Sequence, residues 1–196
     1  MSAAVVTGLT LADLSAMPRD AFVAALGEIF EHAPWVAEAA WAARPYASAT
    51  ALHDAMMAAV RAAPAQQQIA FLRGHPELAG REAQAGTMTD HSTHEQHGAG
   101  LNALRRDELD ELQRLNARYA QRHGFPFIIA VLRHDKAQIF DALRTRIERD
   151  TRREVAEALG QISMITRRRI AVRLGETATT THPQQPDEAA RCSTNA

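Results

Sequence analysis

Apolar residues recur at helical spacing along almost the whole of this chain. Pro18, Pro34 and Pro64 each stand where proline suits the first turn of such a helix. Ser48 and Asp135 are placed as N-caps at the start of two further apolar stripes. The helical spacing and these helix-start signals together predict an all-α fold.

The middle of the chain is predicted to be less regular. Gly74 is expected to end the helix that begins at Pro64, which places His75 in the loop that follows. Residues 80–91 are predicted to form a loop. Ser92 and Glu95 fit the Ser-x-x-Glu capping box, so a short helix is predicted from Ser92 to about residues 98–101.

One apolar segment does not fit the helical pattern. A long helix is predicted from about Asp107 to Gly124. It is followed by residues 125–132, an unbroken apolar run that begins beside Pro126. We expect this segment to be extended and buried, with backbone amides available to a ligand.

The last long helix is predicted to begin at a capping box formed by Thr151 and Glu154 and to end near Leu174. Arg169 falls on its core stripe, where inward positions are separated by 4, 3, 4 and 3 residues: Val155, Leu159, Ile162, Thr166 and Arg169. A buried guanidinium needs an acidic partner or an anionic or carbonyl-bearing ligand. The alternative is an arginine whose head group reaches solvent near the helix end.

Length and composition indicate a single domain. The chain has 196 residues, of which 46% are hydrophobic and 23% charged, as is usual for a globular protein. Residues 176–196 are polar and aperiodic, which predicts a disordered tail. The expected architecture is a single compact multi-helix domain, residues 1–175, with one short buried extended segment.

Charge and cysteine content limit the partners. A formal net charge of −1 gives no overall field for nucleic acid or an anionic membrane, which favours a small-molecule ligand. No apolar run is long enough to span a bilayer. Cys192, in the tail, is the single cysteine, so an internal disulfide is excluded. We therefore expect a cytoplasmic protein.

His75 and Glu95 are candidate catalytic residues, although each has a simpler explanation. An unperturbed imidazole titrates near neutral pH, so His75 can act as acid or base. A histidine at a helix end also binds local carbonyl groups, and Glu95 is accounted for by the capping box. From spacing alone these alternatives remain open.

Histidines close to Glu95 raise the possibility of a metal site. His91, His94 and His97 lie within seven residues, but they match no recognised zinc signature. The single lysine, Lys136, is placed at an exposed helix start, which disfavours pyridoxal phosphate. We expect no cofactor. The alternatives are a metal-dependent ureide or amide hydrolase built on this cluster, or a non-catalytic helical module that binds a ligand.

The order of several short motifs between Met17 and Leu174 resembles the family of OHCU decarboxylases, which act on 2-oxo-4-hydroxy-4-carboxy-5-ureidoimidazoline. The motifs are Phe22-x-x-x-Leu26-Gly27-x-Ile29-Phe30-Glu31, Pro34-Trp35-Val36, His75-Pro76-Glu77-Leu78-Ala79, Ser92-x-x-Glu95-Gln96-x-x-Ala99-Gly100-Leu101, Gly124-Phe125-Pro126-Phe127-Ile128-Ile129 and Arg169.

The resemblance implies a cofactor-free homodimer that forms (S)-allantoin in urate degradation. It implies that His75 is the catalytic acid/base, acting with Glu95 and Arg169. It also implies a set of substrate-binding residues: Pro76, Ser92, Gln96, Phe127, Ile128, Ile129, Ala130 and Val131. Ala130 departs from the family pattern, which often has cysteine there, but the contacts expected from this segment come from its backbone.

Overall fold

The computed structural model describes residues 8–176, and within this range the chain forms α-helices and short 3-10 turns without any β-strand. An all-α fold is therefore confirmed. The α-helices are α1 (Leu11–Ala16), α2 (Arg19–Leu26), α3 (Pro34–Trp41), α4 (Ala49–Ala62), α5 (Ala65–Arg73), α6 (Arg81–Ala85), α7 (Asp90–Gly98), α8 (Arg106–His123), α9 (Lys136–Ile147) and α10 (Thr151–Arg173). The 3-10 turns are Gly27–Phe30, Leu101–Ala103 and Val131–Arg133.

Several helix boundaries lie where the sequence predicts them. Pro34 is the first residue of α3. The Ser48 hydroxyl accepts a hydrogen bond from the Ala51 amide at 3.0 Å, and Asp135 caps α9 with a reciprocal bond to Gln138. Gly124 ends α8 in the left-handed conformation, with φ 80°, which glycine adopts without strain.

Two predicted capping boxes are wrong. Helix α7 begins at Asp90 and is capped by Thr89, whose hydroxyl accepts from the Ser92 amide at 3.3 Å. Helix α10 is capped by Asp150, and Glu154 is fully buried inside the protein. In both cases the carboxylate of the predicted box turns inward to a cationic partner.

The predicted loop over residues 80–91 is also partly wrong. Helix α6 occupies Arg81–Ala85, and Gly86 ends it at φ 68°. The short stretch from Gly86 to Thr89 then leads into α7. Helix α6 has no buried residue, so its sequence lacks the apolar periodicity that marks an amphipathic helix.

Helix α10 lies at the centre of the fold and packs against α4, α5, α8 and the turn Gly27–Phe30. Its inward face carries apolar residues and four buried polar side chains, Glu154, Gln161, Thr166 and Arg169. Arg169 is 1% exposed, as its place on the core stripe predicts, whereas Val155 and Leu159 are only half-buried. Charged groups are therefore built into the core at this helix.

The extended segment is confirmed and is buried from Phe125 to Val131, with partial exposure only at Pro126. Phe125 and Phe127 pack edge-on against Tyr119, with ring centroids 5.9 and 5.3 Å away. Leu132 departs from the prediction and is 37% exposed, because the chain turns outward in Val131–Arg133.

The remaining expectations concern the ends of the chain. The predicted tail, from Glu176 onward, lies outside the described residues except for Glu176 itself, and Cys192 lies outside them as well. Within residues 8–176, none of the helices combines the length and the apolar character that crossing a bilayer requires.

Candidate active site

His75 lies in a tight loop between α5 and α6, and side chains from two other helices hold this loop. The Gln96 side-chain oxygen accepts from the Ala79 amide at 2.8 Å, and the Asn116 amide donates to the Leu78 carbonyl at 3.0 Å. Ala79 has φ 47°, an unfavourable value for a residue with a side chain. The loop is therefore fixed in a strained conformation by neighbouring helices, as is typical of functional sites.

A narrow cleft opens beside this loop and brings together most of the residues that the resemblance assigns to the site. Its walls come from the His75 loop, α7, the extended segment and α10. The lining residues are His75, Pro76, Leu78, Ser92, Glu95, Gln96, Phe127, Ile128, Ile129, Val131 and Ile165. Leu78 and Ile165 were not predicted, because both read as ordinary core positions.

Two predicted site residues lie outside this cleft. The amide of Ala130 donates to the Gln161 side chain at 2.9 Å, so this residue faces α10. Arg169 lies behind Glu95 and is buried in a network of protein groups. Its place in the core is as predicted, but its neighbours are carboxylates of the protein.

Every N–H donor of Arg169 is engaged by the protein. Nε and Nη2 bind the two oxygens of Glu95 at 3.0 and 2.6 Å. Nη1 donates to Glu31 at 2.6 Å and to the Ile29 carbonyl at 3.2 Å, and Nη2 also donates to the Ser92 hydroxyl at 3.1 Å. Because arginine has five such donors, none is left for a ligand.

Glu31 is the main site residue that sequence reasoning missed. It is 5% exposed, it accepts hydrogen bonds from the hydroxyls of Thr89 and Ser92, and its φ is 56°. Burial opposes ionisation of Glu31, but the charge of Arg169 and the two hydroxyls outweigh it and hold its pKa below the ordinary value. In the sequence, the available signal for Glu31 was its position directly after Ile29 and Phe30, the apolar pair that ends the 3-10 turn.

His75 is half-buried, and burial lowers its pKa to about 4, with further lowering by the positive charge of Arg169. Glu31 opposes this shift but does not cancel it. The imidazole is therefore neutral at physiological pH. One nitrogen of a neutral imidazole accepts a proton and the other carries one, so the ring can move protons in both directions.

His75 also borders a second, more open basin on the solvent side. Arg73, Glu77 and Arg81 line this basin, together with Glu82, Ala120, Gly124, Phe125 and Pro126. His75 is shared between the basin and the inner cleft. His75 therefore lies between the inner cleft and the more open basin.

The histidines of α7 do not assemble into a metal site. His94 and His97 are exposed, while His91 and His94 line a separate pocket that shares only Glu95 with the cleft. Across residues 8–176, no three histidine, cysteine, aspartate or glutamate side chains are grouped as metal ligands. The hydrolase alternative therefore lacks its ligand set in this part of the chain.

The chain is similar in sequence and in fold to known proteins. The sequence profile of the OHCU decarboxylase family matches residues 15–171. The chain is 40% identical over 165 residues to a 2-oxo-4-hydroxy-4-carboxy-5-ureidoimidazoline decarboxylase of Haloferax volcanii, covering 84% of this chain and 96% of that one. It is 36% identical to the enzyme of that name from Mus musculus, covering 85% of this chain and 94% of that one.

Longer proteins are similar over part of their length. The chain is 40% identical to the uric acid degradation bifunctional protein PucL of Bacillus subtilis, covering 83% of this chain but 32% of PucL. A crystal structure of (S)-allantoin synthase superposes with a TM-score of 0.67 at 28% identity, covering 85% of this chain and 54% of that one. A crystal structure of OHCU decarboxylase, at 18% identity and TM-score 0.59, shares the fold.

Proposed function

Because the chain belongs to the OHCU decarboxylase family, we propose that it decarboxylates 2-oxo-4-hydroxy-4-carboxy-5-ureidoimidazoline, OHCU, to (S)-allantoin in urate degradation. The observation that carries this proposal is the pairing of a neutral His75 with a Glu95 carboxylate on one cleft, where Arg169 holds the carboxylate from behind. A proton carrier and an N–H acceptor are the groups that this reaction needs.

The substrate supplies its own electron sink. Its leaving carboxylate and a hydroxyl share ring carbon 4, and the ureido group is on carbon 5. When the bond to the carboxylate breaks, its electron pair forms a double bond between carbons 4 and 5, and the ring C=N bond accepts the displaced pair as its nitrogen takes a proton. The 4-hydroxyl then loses its proton to become a carbonyl, and carbon 5 gains one. No step requires a cofactor.

His75 moves the protons in this scheme. A neutral imidazole accepts the hydroxyl proton and delivers a proton to carbon 5 from one face, which sets the S configuration. Glu95 accepts hydrogen bonds from ring or ureido N–H groups, since Arg169 leaves lone pairs of its carboxylate unused. Ser92 and Gln96 are engaged with Glu31 and Ala79, so they hold the walls of the cleft.

A stereospecific assay tests this function. OHCU is generated in situ from urate, the chelator-treated protein is added, and optical rotation is compared with a protein-free control. We expect fast appearance of (S)-allantoin. Racemic product at the control rate would overturn the proposal. Tight binding of (S)-allantoin without acceleration would indicate a ligand-binding module, and loss of activity on chelation would indicate a metal-dependent enzyme.

The pH dependence of kcat/KM follows from the lowered pKa of His75. If the neutral imidazole is the active form, kcat/KM is flat through neutral pH and falls only as pH drops through about 4. Initial rates between pH 3.5 and 8 measure this, with the protein-free decay subtracted at each pH. An acidic limb centred near 6.5, the ordinary histidine value, would contradict the burial of this ring in the free enzyme.

We further infer a homodimer in the cytoplasm. The resemblance to the family supports the dimer, and a single cysteine in the whole chain is compatible with a reducing compartment. Light scattering coupled to size-exclusion chromatography measures the dimer directly, against a chain mass of 21.5 kDa. A mass at the monomer value would contradict it.

A further inference from the structure

We infer that Arg146 is a positioning residue that aims the amide N–H of Ile129 into the cleft, in an enzyme with the function proposed above. Arg146 is 3% exposed and lies on α9, outside the lining of the cleft. Its Nε binds Glu154 at 2.8 Å, and its Nη1 donates to the Ile128 carbonyl at 2.9 Å. The same side chain thus joins a buried carboxylate to the wall of the site.

The wall needs such support because it belongs to no helix or sheet. Within residues 8–176, the backbone from Phe127 to Ile129 has no hydrogen bond to another backbone group. The Arg146 guanidinium fixes the Ile128 carbonyl and also stacks over the Phe127 ring, 4.6 Å from its centroid. The Gln161 side chain fixes the next amide, that of Ala130. The side chains of Arg146 and Gln161 therefore hold this backbone in place of the hydrogen bonds that a helix or sheet would provide.

Holding the Ile128 carbonyl also orients the amide that follows it. In a trans peptide the C=O and the next N–H point in opposite directions. With the Ile128 carbonyl turned toward Arg146, the N–H of Ile129 points to the opposite side of the segment. Ile128 and Ile129 line the cleft whereas Arg146 does not, which favours a cleft on that opposite side. Among residues 8–176 this N–H has no acceptor. It is free to donate to a carbonyl or carboxylate oxygen of the substrate.

Stability alone does not explain the ion pair of Arg146 and Glu154. Buried ion pairs are often no more stabilising than apolar residues of similar size. Glu154 is 0% exposed, and the Tyr119 hydroxyl donates to it at 2.8 Å while Arg149 contacts it at 3.4 Å. The Glu154 carboxylate, held by Tyr119 and Arg149, therefore orients the Arg146 guanidinium through Nε. The Nη1 atom of the same guanidinium then reaches the Ile128 carbonyl in the wall of the cleft.

The test replaces both Arg146 and Glu154 with neutral residues, so that neither charge is left buried without its partner. The double variant R146M/E154Q is compared with R144M/E111Q, which removes a solvent-accessible pair at 2.6 Å between Arg144, on the same helix as Arg146, and Glu111 on α8. We expect R146M/E154Q to lower kcat/KM for OHCU by about 10²-fold, as loss of one aligned donor does. The control variant keeps wild-type rates.

A spectroscopic readout separates positioning from stability. Protein labelled with 15N-isoleucine is titrated with (S)-allantoin, and the Ile129 amide resonance is assigned with I129V. We expect this resonance to shift downfield in the wild type and in R144M/E111Q but not in R146M/E154Q. If the double variant does not fold, R146K serves instead, because lysine keeps the charge beside Glu154 but presents its donors from one nitrogen.

Failure of this inference is distinguishable from failure of the proposed function. An active wild type whose R146K and R146M/E154Q variants keep full kcat/KM would overturn the role of Arg146 alone. An Ile129 amide resonance that shifts equally in the wild type, R144M/E111Q and R146M/E154Q would also overturn the role of Arg146. A wild type that leaves OHCU decay unaccelerated would overturn the proposed function, and the positioning role with it.

Discussion

Replacing His75 with alanine will lower the turnover of OHCU by about 10²–10⁴-fold, the usual cost of removing a general acid or base. Water must then carry both protons inside a narrow cleft, and control over the face of carbon 5 is lost. The product will therefore approach a racemic mixture. Initial rates and optical rotation, measured on the same samples, check both parts of this result.

The neighbouring histidines provide matched controls for His75→Ala. His97 is exposed, and His91 lines a pocket separate from the cleft, so alanine at either position should hardly change turnover. Circular dichroism would establish that all three variants keep their helices. Comparable losses at His75, His91 and His97 would contradict the assignment and support the metal-dependent alternative.

Replacing Arg169 with methionine will destabilise the protein by about 3–5 kcal/mol, because it leaves buried carboxylates without their cation. Glu31 and Glu95 lie on separate elements, and Arg169 joins both to α10. Activity will fall as well, since Glu95 loses the bidentate contact that orients it. Urea unfolding followed by circular dichroism measures the stability, and R167M, an exposed substitution on the same helix, serves as the control.

The loss of stability in acid will be smaller in R169M than in the wild type. In the wild type the pKa of Glu31 is below its unfolded value, so its contribution is present above the unfolded pKa and is lost as pH falls. Among the groups that lower this pKa, Arg169 has the largest effect, so its removal raises the pKa of Glu31 and takes away much of that contribution. Unfolding free energies of both proteins at pH 3.5 and pH 5.5 measure the difference. A variant that loses as much stability as the wild type between these two pH values would contradict this account.

Local signals predicted the helices well, because the features that start and stop them act over a few residues. Proline at the first turn, serine or aspartate at an N-cap and glycine after the last turn are all local. Ser48, Asp135 and Gly124 were read correctly for this reason. The extended segment was also recognisable, since an apolar run next to Pro126 does not fit a helical stripe.

The two wrong capping boxes have one cause. A carboxylate three residues after a hydroxyl fits a local cap, but it can also turn inward to a distant cation. Glu95 meets Arg169, which is 74 residues away, and Glu154 meets Arg146. Nothing in the spacing distinguishes these cases. For Glu95 the resemblance to the family, rather than the pattern, indicated its place in the site.

Arg146 could have been found from the sequence. On α9, Ile139 and Leu143 are buried, and Arg146 follows Leu143 by three residues, on the same face. The argument that singled out Arg169 on the core stripe of α10 applies equally here. Glu31 was harder, because a 3-10 turn has no helical stripe to compare it with, and its partners lie 58 or more residues away.

The position of His75 between the inner cleft and the outer basin has a consequence for successive turnovers. Replacing a carboxylate with hydrogen consumes one proton from the medium in every cycle. A neutral imidazole carries only its single N–H proton, so the additional proton has to arrive from solvent during each cycle. Because His75 borders the basin as well as the cleft, we expect this proton to reach the ring from solvent while the substrate still fills the cleft. In the proposed mechanism, proton uptake is then a separate event from the departure of the product.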